Sequence, residues 1–233
     1  PVIRHSDRTT EQWARLADTV RAGRPPVSMH GTDEGAEFFA GFVDALFAMN
    51  FPAAQAAARA LGERKSVVDV GAGSAVWSLA FATAYPSTRV KAIDHPTVLD
   101  RVTRVFAERM GVADRVECVP ADMRTADFGT GHDLAVLGHI LHGEGPAHSL
   151  NLLKRLHGSL APGGSVLVAE MIPDDDRNKD LFGLFFGVNM LALTEDGCVF
   201  TRSELDSLAG QAGFSCVEWV EAPAPYPLAV FHK

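Results

Sequence analysis

Cysteine is scarce in this chain, with three in 233 residues, and Cys118, Cys198 and Cys216 lie far apart and form no CxxC pair. That spacing excludes a disulfide framework or a zinc knuckle and fits a reducing cytoplasm. Basic runs are missing as well. The 21 Lys and Arg are outnumbered by 29 Asp and Glu, a formal net charge of −8. A chain without a basic stripe does not follow a phosphate backbone, so nucleic acid is excluded as a partner. No apolar run reaches the roughly 18–20 residues that cross a bilayer, and the opening PVIRHSDRTTEQW has no signal-peptide core. The expectation is a cytoplasmic protein with no membrane partner. A chain that opens on Pro1 rather than Met also suggests a trimmed or processed piece of something longer.

What the chain does have is apolar content, 47% of its residues, enough for one substantial α/β core. Short apolar or β-branched runs at 66–70, 89–93, 115–119, 134–137 and 165–169 alternate with helix-period stretches at 75–84, 96–110 and 146–160. Such alternation predicts a parallel sheet with helices on both faces. LAPGG at 160–164 stops a helix and feeds the fifth strand. Farther on come a polar turn (PDDDRN, 173–178), an apolar helix at 181–193 and a helix at 201–212 whose Thr201 and Glu204 read as a capping box. Two last strands, at 215–220 and 226–231, bring the count to seven. Residues 1–64 read as an N-terminal helical segment, with helices at 10–22, 33–49 and 52–61 around a loop at 23–31, and 65–233 as the main domain. Phe38, Phe39, Phe42 and Met49 form an apolar stripe, read as core packing or as a cofactor or dimer contact.

The segment VVDVGAGSA at 67–75 follows a buried strand and opens a helix. Gly71 and Gly73 let the backbone turn tightly and lie against a ligand, although an ordinary βα turn has the same composition. A dinucleotide fingerprint is excluded, because the third glycine of GxGxG is Ala75 and position 76 is Val. Asp94 ends the second strand, where a carboxylate can accept both ribose hydroxyls. Asp122 follows the third strand and can accept an adenine amino group, and the thioether of Met123 can lie against the base. Three such sites at successive strand ends predict an adenosyl ligand, held by the main-chain amides of 71–73 and by Asp94.

Together with Tyr85-Pro86, DHPTVLDRV, PADM, ILH, LAPGGSVLVAE, NMLALTEDG and AGF, in this order over about residues 35–233, these motifs resemble the small-molecule O-methyltransferases. That family is typified by caffeate and acetylserotonin O-methyltransferases and their bacterial natural-product relatives. The resemblance implies a class I methyltransferase fold, a Rossmann-like, mostly parallel seven-stranded α/β sheet. It implies S-adenosylmethionine (SAM) as cofactor, S-adenosylhomocysteine (SAH) as product, and a small aromatic or polyketide-like acceptor methylated on a hydroxyl. SAM contacts are implied at Gly71, Asp94, Asp122 and Met123, with a backbone contact near Gly138. Asp69, Gly73 and His95 complete the expected cofactor-binding set. The resemblance makes His142 the catalytic base with Glu170 beside it. It sets Asn189 toward the substrate, with Phe186 and Met190 on the same pocket-lining helix. The chemistry agrees, since a phenol of pKa about 10 must lose its proton and a neutral histidine steered by a carboxylate can take it.

Three departures qualify the resemblance. The family's HDW is His142-Gly143-Glu144 here, leaving open whether Glu144 replaces the lost acid. A second flanking glutamate falls at Val199. The family's N-terminal winged-helix dimerisation domain is absent from this chain, which leaves a homodimer or a partner subunit open. Other readings stand beside these. His142 could orient substrate, or be a loop histidine. His139, His142, Glu144 and His148 could be metal ligands, but i, i+3 rings at a strand end splay and no HExxH is present, so no metal is expected. The aspartates at 174–176 read as a solvated turn. The whole chain could bind SAM for a cyclisation or elimination instead, or be a methyltransferase subunit that needs a partner.

Overall fold

The structure, a computed structural model, describes residues 10–25 and 33–233. Strands β1 (Ser66–Val70), β2 (Arg89–Asp94), β3 (Val116–Pro120), β4 (His132–Gly138), β5 (Leu160–Ala169), β6 (Cys216–Val220) and β7 (Leu228–His232) form one sheet in the order β3-β2-β1-β4-β5-β7-β6. β1 to β5 run parallel, and β7 is antiparallel to both its neighbours. The seven-stranded, mostly parallel sheet expected from the alternation is the one observed.

Two-faced burial explains the layering. In β4, Leu134 and Val136 enter one core while Ala135 and Leu137 enter the other, so each face needs helices to exclude water. Helices α2 (Asp33–Leu61) and α3 (Val76–Ala84) cover the first face. With them lies α4, a continuous run of Pro96–Val98, a π turn at Leu99–Thr103, and Arg104–Arg109. Helices α5 (Leu141–Ser159) and α7 (Arg202–Ala212) cover the second. The remaining helices, α1 (Leu16–Ala22) and α6 (Leu181–Leu193), pack on each other. α7 begins with the expected capping box between Thr201 and Glu204. No helix among the described residues is long and apolar enough to cross a membrane.

Several local expectations are corrected. The helices read at 33–49 and 52–61 are one helix running through Pro52. Interior proline costs about 3 kcal/mol, but packing on both sides of it opposes a break. Phe47 stacks on Phe51 at 5.1 Å and on Phe106 at 4.0 Å, and Ala53, Ala54, Ala57 and Ala58 are buried. Met49 is 69% exposed and so is no part of a core stripe. The side chains of Phe38, Phe39 and Phe42 lie outside the described residues, as do positions 26–31 of the expected loop. α5 starts at Leu141 rather than at 146, because a first turn at 141–144 is joined to the long helix through Gly145 (φ 68°, ψ 174°). LAPGG lies within β5. His132 pairs with Leu160 and Leu134 with Ser165, so four residues bulge opposite Asp133.

The winding reverses between β1 and β4, which opens a crevice at their carboxyl ends. The two loops bounding it meet closely. A Cβ on Gly71 (φ 68°) would lie 2.3 Å from Ile140 Cδ1. Below it, the Ser78 hydroxyl of α3 donates to Asp69 Oδ2 of β1 at 2.5 Å. Burial lifts the Asp69 carboxyl to about 7 against the pull of that bond, and the neighbouring Asp94 charge adds to the rise.

Two stability tests follow from this crevice. Gly71→Ala combines left-handed strain with a clash and should lower unfolding free energy by about 2–4 kcal/mol in denaturant titrations. Gly23→Ala (φ 69°, nothing within 4 Å) should lose only about 1 kcal/mol, because strain acts there alone. For Asp69, the folded state holds its proton more tightly than the unfolded chain, so stability should fall as pH rises from 3.8 to about 7. Asp69→Asn should flatten that fall by on the order of 2–4 kcal/mol. Parallel pH profiles of the two proteins would refute the assignment.

Candidate active site

At the carboxyl ends of β1 and β2 the backbone amides are already engaged. The Gly71 and Ala72 N–H groups donate to Ile93 O at 2.9 and 3.1 Å, and the Gly73 N–H donates to Asp94 Oδ2 at 2.7 Å. The expectation that the amides of 71–73 would grip a ligand is therefore corrected, because the turn spends them on strand β2. Their glycines supply shape instead, and Ala75, in place of a third glycine, takes a left-handed φ of 54°. Asp94 also accepts the His95 N–H through Oδ1 at 2.6 Å. A carboxylate has about four lone-pair sites, so each oxygen keeps one for a ligand hydroxyl. Burial pushes the Asp94 carboxyl up, and the two amides work against that. His95 caps α4, its Nδ1 accepting from the Thr97 N–H.

Asp122 is exposed after β3, its Oδ1 accepting the Arg124 N–H at 2.8 Å. The Met123 sulfur lies 3.8 Å from the position a Cβ on Gly71 would take. Asp94 and Met123 thus approach the glycine turn, with exposed Asp122 next to Met123 in the chain, while Asp69 is 2% exposed and turned to Ser78. At Gly138 the Trp77 ring fills the space a side chain would need, 2.3 Å from an added Cβ.

The second half of the site lies beyond β4 and β5. His142 sits on the first turn of α5 rather than at the strand end, and Glu170 directly follows β5. His142 Nδ1 meets Glu170 Oε2 at 2.6 Å, and the His142 main-chain N–H donates to Glu170 Oε1 at 3.3 Å. Burial would raise the Glu170 carboxyl, but the charge and hydrogen bonds of His142, with His139 beyond, hold it below its ordinary value. A buried ionised carboxylate accepts only, so the proton of the contact belongs to His142 Nδ1, and Nε2 is left for an acceptor molecule. Phe186 stands edge-on to the His142 ring at 4.9 Å.

Glu144 does not replace the lost acid, because its 1% exposed side chain pairs with Arg124 Nε at 2.9 Å. Val199 packs near Gly187 of α6, and the adjoining Cys198 N–H donates to His142 O at 2.8 Å. The segment that has no second carboxylate still braces the turn carrying His142. His139, which sequence reading raised only as a metal ligand, has a positive φ of 63° and a buried Nδ1 without a partner among the described residues. Burial lowers its pKa to about 4, with Glu170 opposing and His142 reinforcing the drop, so it is neutral at pH 7. His139, His142 and Glu170 bring possible ligand atoms within 4.8 Å of one another, although the Nδ1 of His142 is committed to Glu170. His148 and Glu144 are outside that group. Among the aspartates at 174–176, Asp174 accepts the main-chain N–H groups of Asn178, Lys179 and Asp180, as a structured turn does.

On α6, Met190 is buried at 7% exposure, and Asn189 accepts a hydrogen bond from the Trp13 indole at 2.5 Å. Sequence reading missed Trp13 entirely. No local pattern could reveal a partner 176 residues away.

This geometry agrees with comparisons to known proteins. The family model for the O-methyltransferase domain matches residues 13–215. The tetracenomycin polyketide synthesis 8-O-methyl transferase of Streptomyces glaucescens is 30% identical over 95% of this chain and 66% of its own length. A candidate O-methyltransferase of Nostoc punctiforme superposes with a TM-score of 0.90 at 27% identity, over 96% of this chain and 68% of that one. Human N-acetylserotonin methyltransferase, solved with SAM, shares the fold with a TM-score of 0.79 at 23% identity, over 95% of this chain and 66% of that one. The chain spans about two thirds or less of the length of the curated relatives it matches. With the match running through the glycine turn, the acids of β2 and β3 and the His142–Glu170 pair, the chain belongs to the O-methyltransferase domain family.

Proposed function

We propose that this chain is a SAM-dependent O-methyltransferase acting on a hydroxyl of a small aromatic or polyketide-like molecule, with His142 as general base. The observation that carries the reading is the 2.6 Å contact of His142 Nδ1 with the buried Glu170 carboxylate. It fixes the imidazole's tautomer and tilt and turns Nε2 into the lone-pair nitrogen. A base so held removes a phenol proton as the oxygen becomes nucleophilic, typically accelerating a reaction 10²- to 10⁴-fold. When bound, SAM would supply an electrophilic methyl group on its sulfonium, with SAH as the product. Because that methyl is already reactive, the protein's share is alignment, proton removal and exclusion of water.

The residues present fit such a cofactor. Asp94 keeps an acceptor site on each oxygen for a ribose, and Asp122 and Met123 flank the adenine side. The crowded backbone of Gly71, Gly73 and Gly138 forms the floor. His95 and Asp69 act on the cofactor through the α4 cap and the β1–α3 bond. Phe186, Asn189 and Met190 belong to the acceptor side, and within the N-terminal segment 1–64 the described helices α1 and α2 serve as a cover on the domain at 65–233. The match to the O-methyltransferase domain model favours methyl transfer over a cyclisation or elimination, which a carboxylate-held base would serve equally well.

A second reading draws support from α6, where Leu181, Phe182 and Phe185 are 65%, 57% and 56% exposed. Additional polypeptide, from a second copy or another subunit, would complete the acceptor pocket on that face.

Calorimetry with SAH should show binding, weakened about 10²-fold by Asp94→Ala, which removes two charge-assisted bonds to the ribose. No heat with SAH or SAM on folded material would end the cofactor reading. His142→Ala should leave SAH affinity within about threefold and lower turnover about 10²- to 10⁴-fold. Normal turnover by that variant would remove His142 from the mechanism.

A further inference from the structure

Trp13 reaches the acceptor side of the site from the start of the described chain. Its Nε1–H donates to Asn189 Oδ1 at 2.5 Å, and its ring leans on Phe185 with centroids 6.1 Å apart. An indole nitrogen can only donate. The Asn189 atom it meets is therefore the carbonyl oxygen, and the carboxamide is held with its NH2 group left to bond elsewhere. Among the described residues that NH2 group has no partner. Asn189 lies three residues beyond Phe186, on the same face of α6, and Phe186 is the ring that meets His142 edge-on at 4.9 Å. One helical turn from the base's aromatic neighbour, the protein thus displays two N–H donors and withholds an acceptor.

We propose that Trp13 is a positioning residue that locks Asn189 as a hydrogen-bond donor, and that the molecule selected carries a carbonyl oxygen ortho or peri to the hydroxyl. This inference rests on the methyltransferase reading above and narrows its substrate class. In a hydroxy-carbonyl arene the hydroxyl bonds internally to the carbonyl, which keeps its proton from an outside base. A donor to the carbonyl competes for that oxygen and frees the O–H for His142 Nε2. As the proton moves to His142, negative charge spreads from the phenolate oxygen onto the carbonyl oxygen. The Asn189 bond strengthens at that moment, which is what preorganised donors contribute to a transition state. A catechol's second hydroxyl oxygen can also accept from Asn189, but it is a weaker acceptor than a conjugated carbonyl and gains little of the charge that develops as the proton leaves, so the bond strengthens less there.

The test is calorimetry on the SAH-saturated chain with three probes built on one ring system: 1-hydroxy-2-acetonaphthone, 1-naphthol and 1,2-dihydroxynaphthalene. The hydroxy-ketone should bind about 5- to 20-fold more tightly than the other two. Trp13→Phe keeps a ring but removes the N–H, so it should shrink that preference to within about threefold while SAH affinity stays unchanged. Asn189→Asp offers an acceptor in place of the donors and should reverse the order in favour of the dihydroxynaphthalene. Loss of packing alone would weaken all three probes together, so the ranking is the diagnostic quantity. An order unmoved by both variants, no binding of any probe, or a dihydroxynaphthalene preference in the parent chain would overturn the proposal while SAH binding leaves the methyltransferase reading standing. Absence of SAH binding would bring down both.

Discussion

A sheet whose central strands are apolar on both faces can meet water only at its ends and edges. Leu134 and Val136 on one side of β4, and Ala135 and Leu137 on the other, are all fully buried, so helices must close both faces. Ligand chemistry is left the rim. The reversal of winding between β1 and β4 then chooses one stretch of that rim, because helices on opposite faces diverge there. The turn after β1, Asp94 at the end of β2, Asp122 after β3, the first turn of α5 after β4 and Glu170 after β5 all stand along it.

Burial at the rim creates an electrostatic problem that each ionisable group resolves differently. Asp69 accepts one hydroxyl and becomes a weak acid near neutrality. Asp94 accepts two amides, which offset part of the same burial penalty. Glu170 goes the other way, since its desolvation is opposed by the charge and hydrogen bonds of His142 and its pKa falls below the ordinary value. His139 lies deep enough to be neutral. Charge is retained at Glu170 and released at His139, two groups within one cluster. That division gives His142 one committed nitrogen and one open one. The positive φ of His139 places its ring between Trp77 and His142, 6.2 and 6.3 Å away between centroids, a backbone cost sustained only where the surroundings enforce it.

Much of this was legible in the sequence because it is local or periodic. Alternating apolar runs revealed all five parallel strands to within a few residues, and the capping box of Thr201 and Glu204 appeared where its spacing put it. Of the candidate site, the acids at strand ends were readable from motif order, and the His142–Glu170 pair from the family resemblance. What failed depended on contacts between distant residues. Pro52 looked like a helix break because the stacking of Phe47 on Phe106 cannot be seen from one segment. The amides at 71–73 looked available because nothing in VVDVGAGSA says that Ile93 O and Asp94 take them. Glu144 looked free to serve His142 until Arg124 claimed it. Trp13 had no signature at all, since a lone tryptophan in a polar helix points to no particular partner.

The valine at position 199 can be understood in the same terms. Two carboxylates flanking one imidazole would lower each other's tendency to ionise through like-charge repulsion, and one of them would compete for the histidine's open nitrogen. A single buried carboxylate, already charged and held by both the Nδ1 and the main-chain N–H of His142, fixes the ring without that competition. The second brace is mechanical here. The Cys198 N–H holds His142 O at 2.8 Å, and Val199, 7% exposed, packs toward Gly187 of α6. An apolar brace keeps a second charge away from His142 and leaves Asn189, whose Oδ1 takes the Trp13 indole, as the polar side chain of α6. With less charge nearby to satisfy, the acceptor's own oxygen atoms weigh more in deciding what binds.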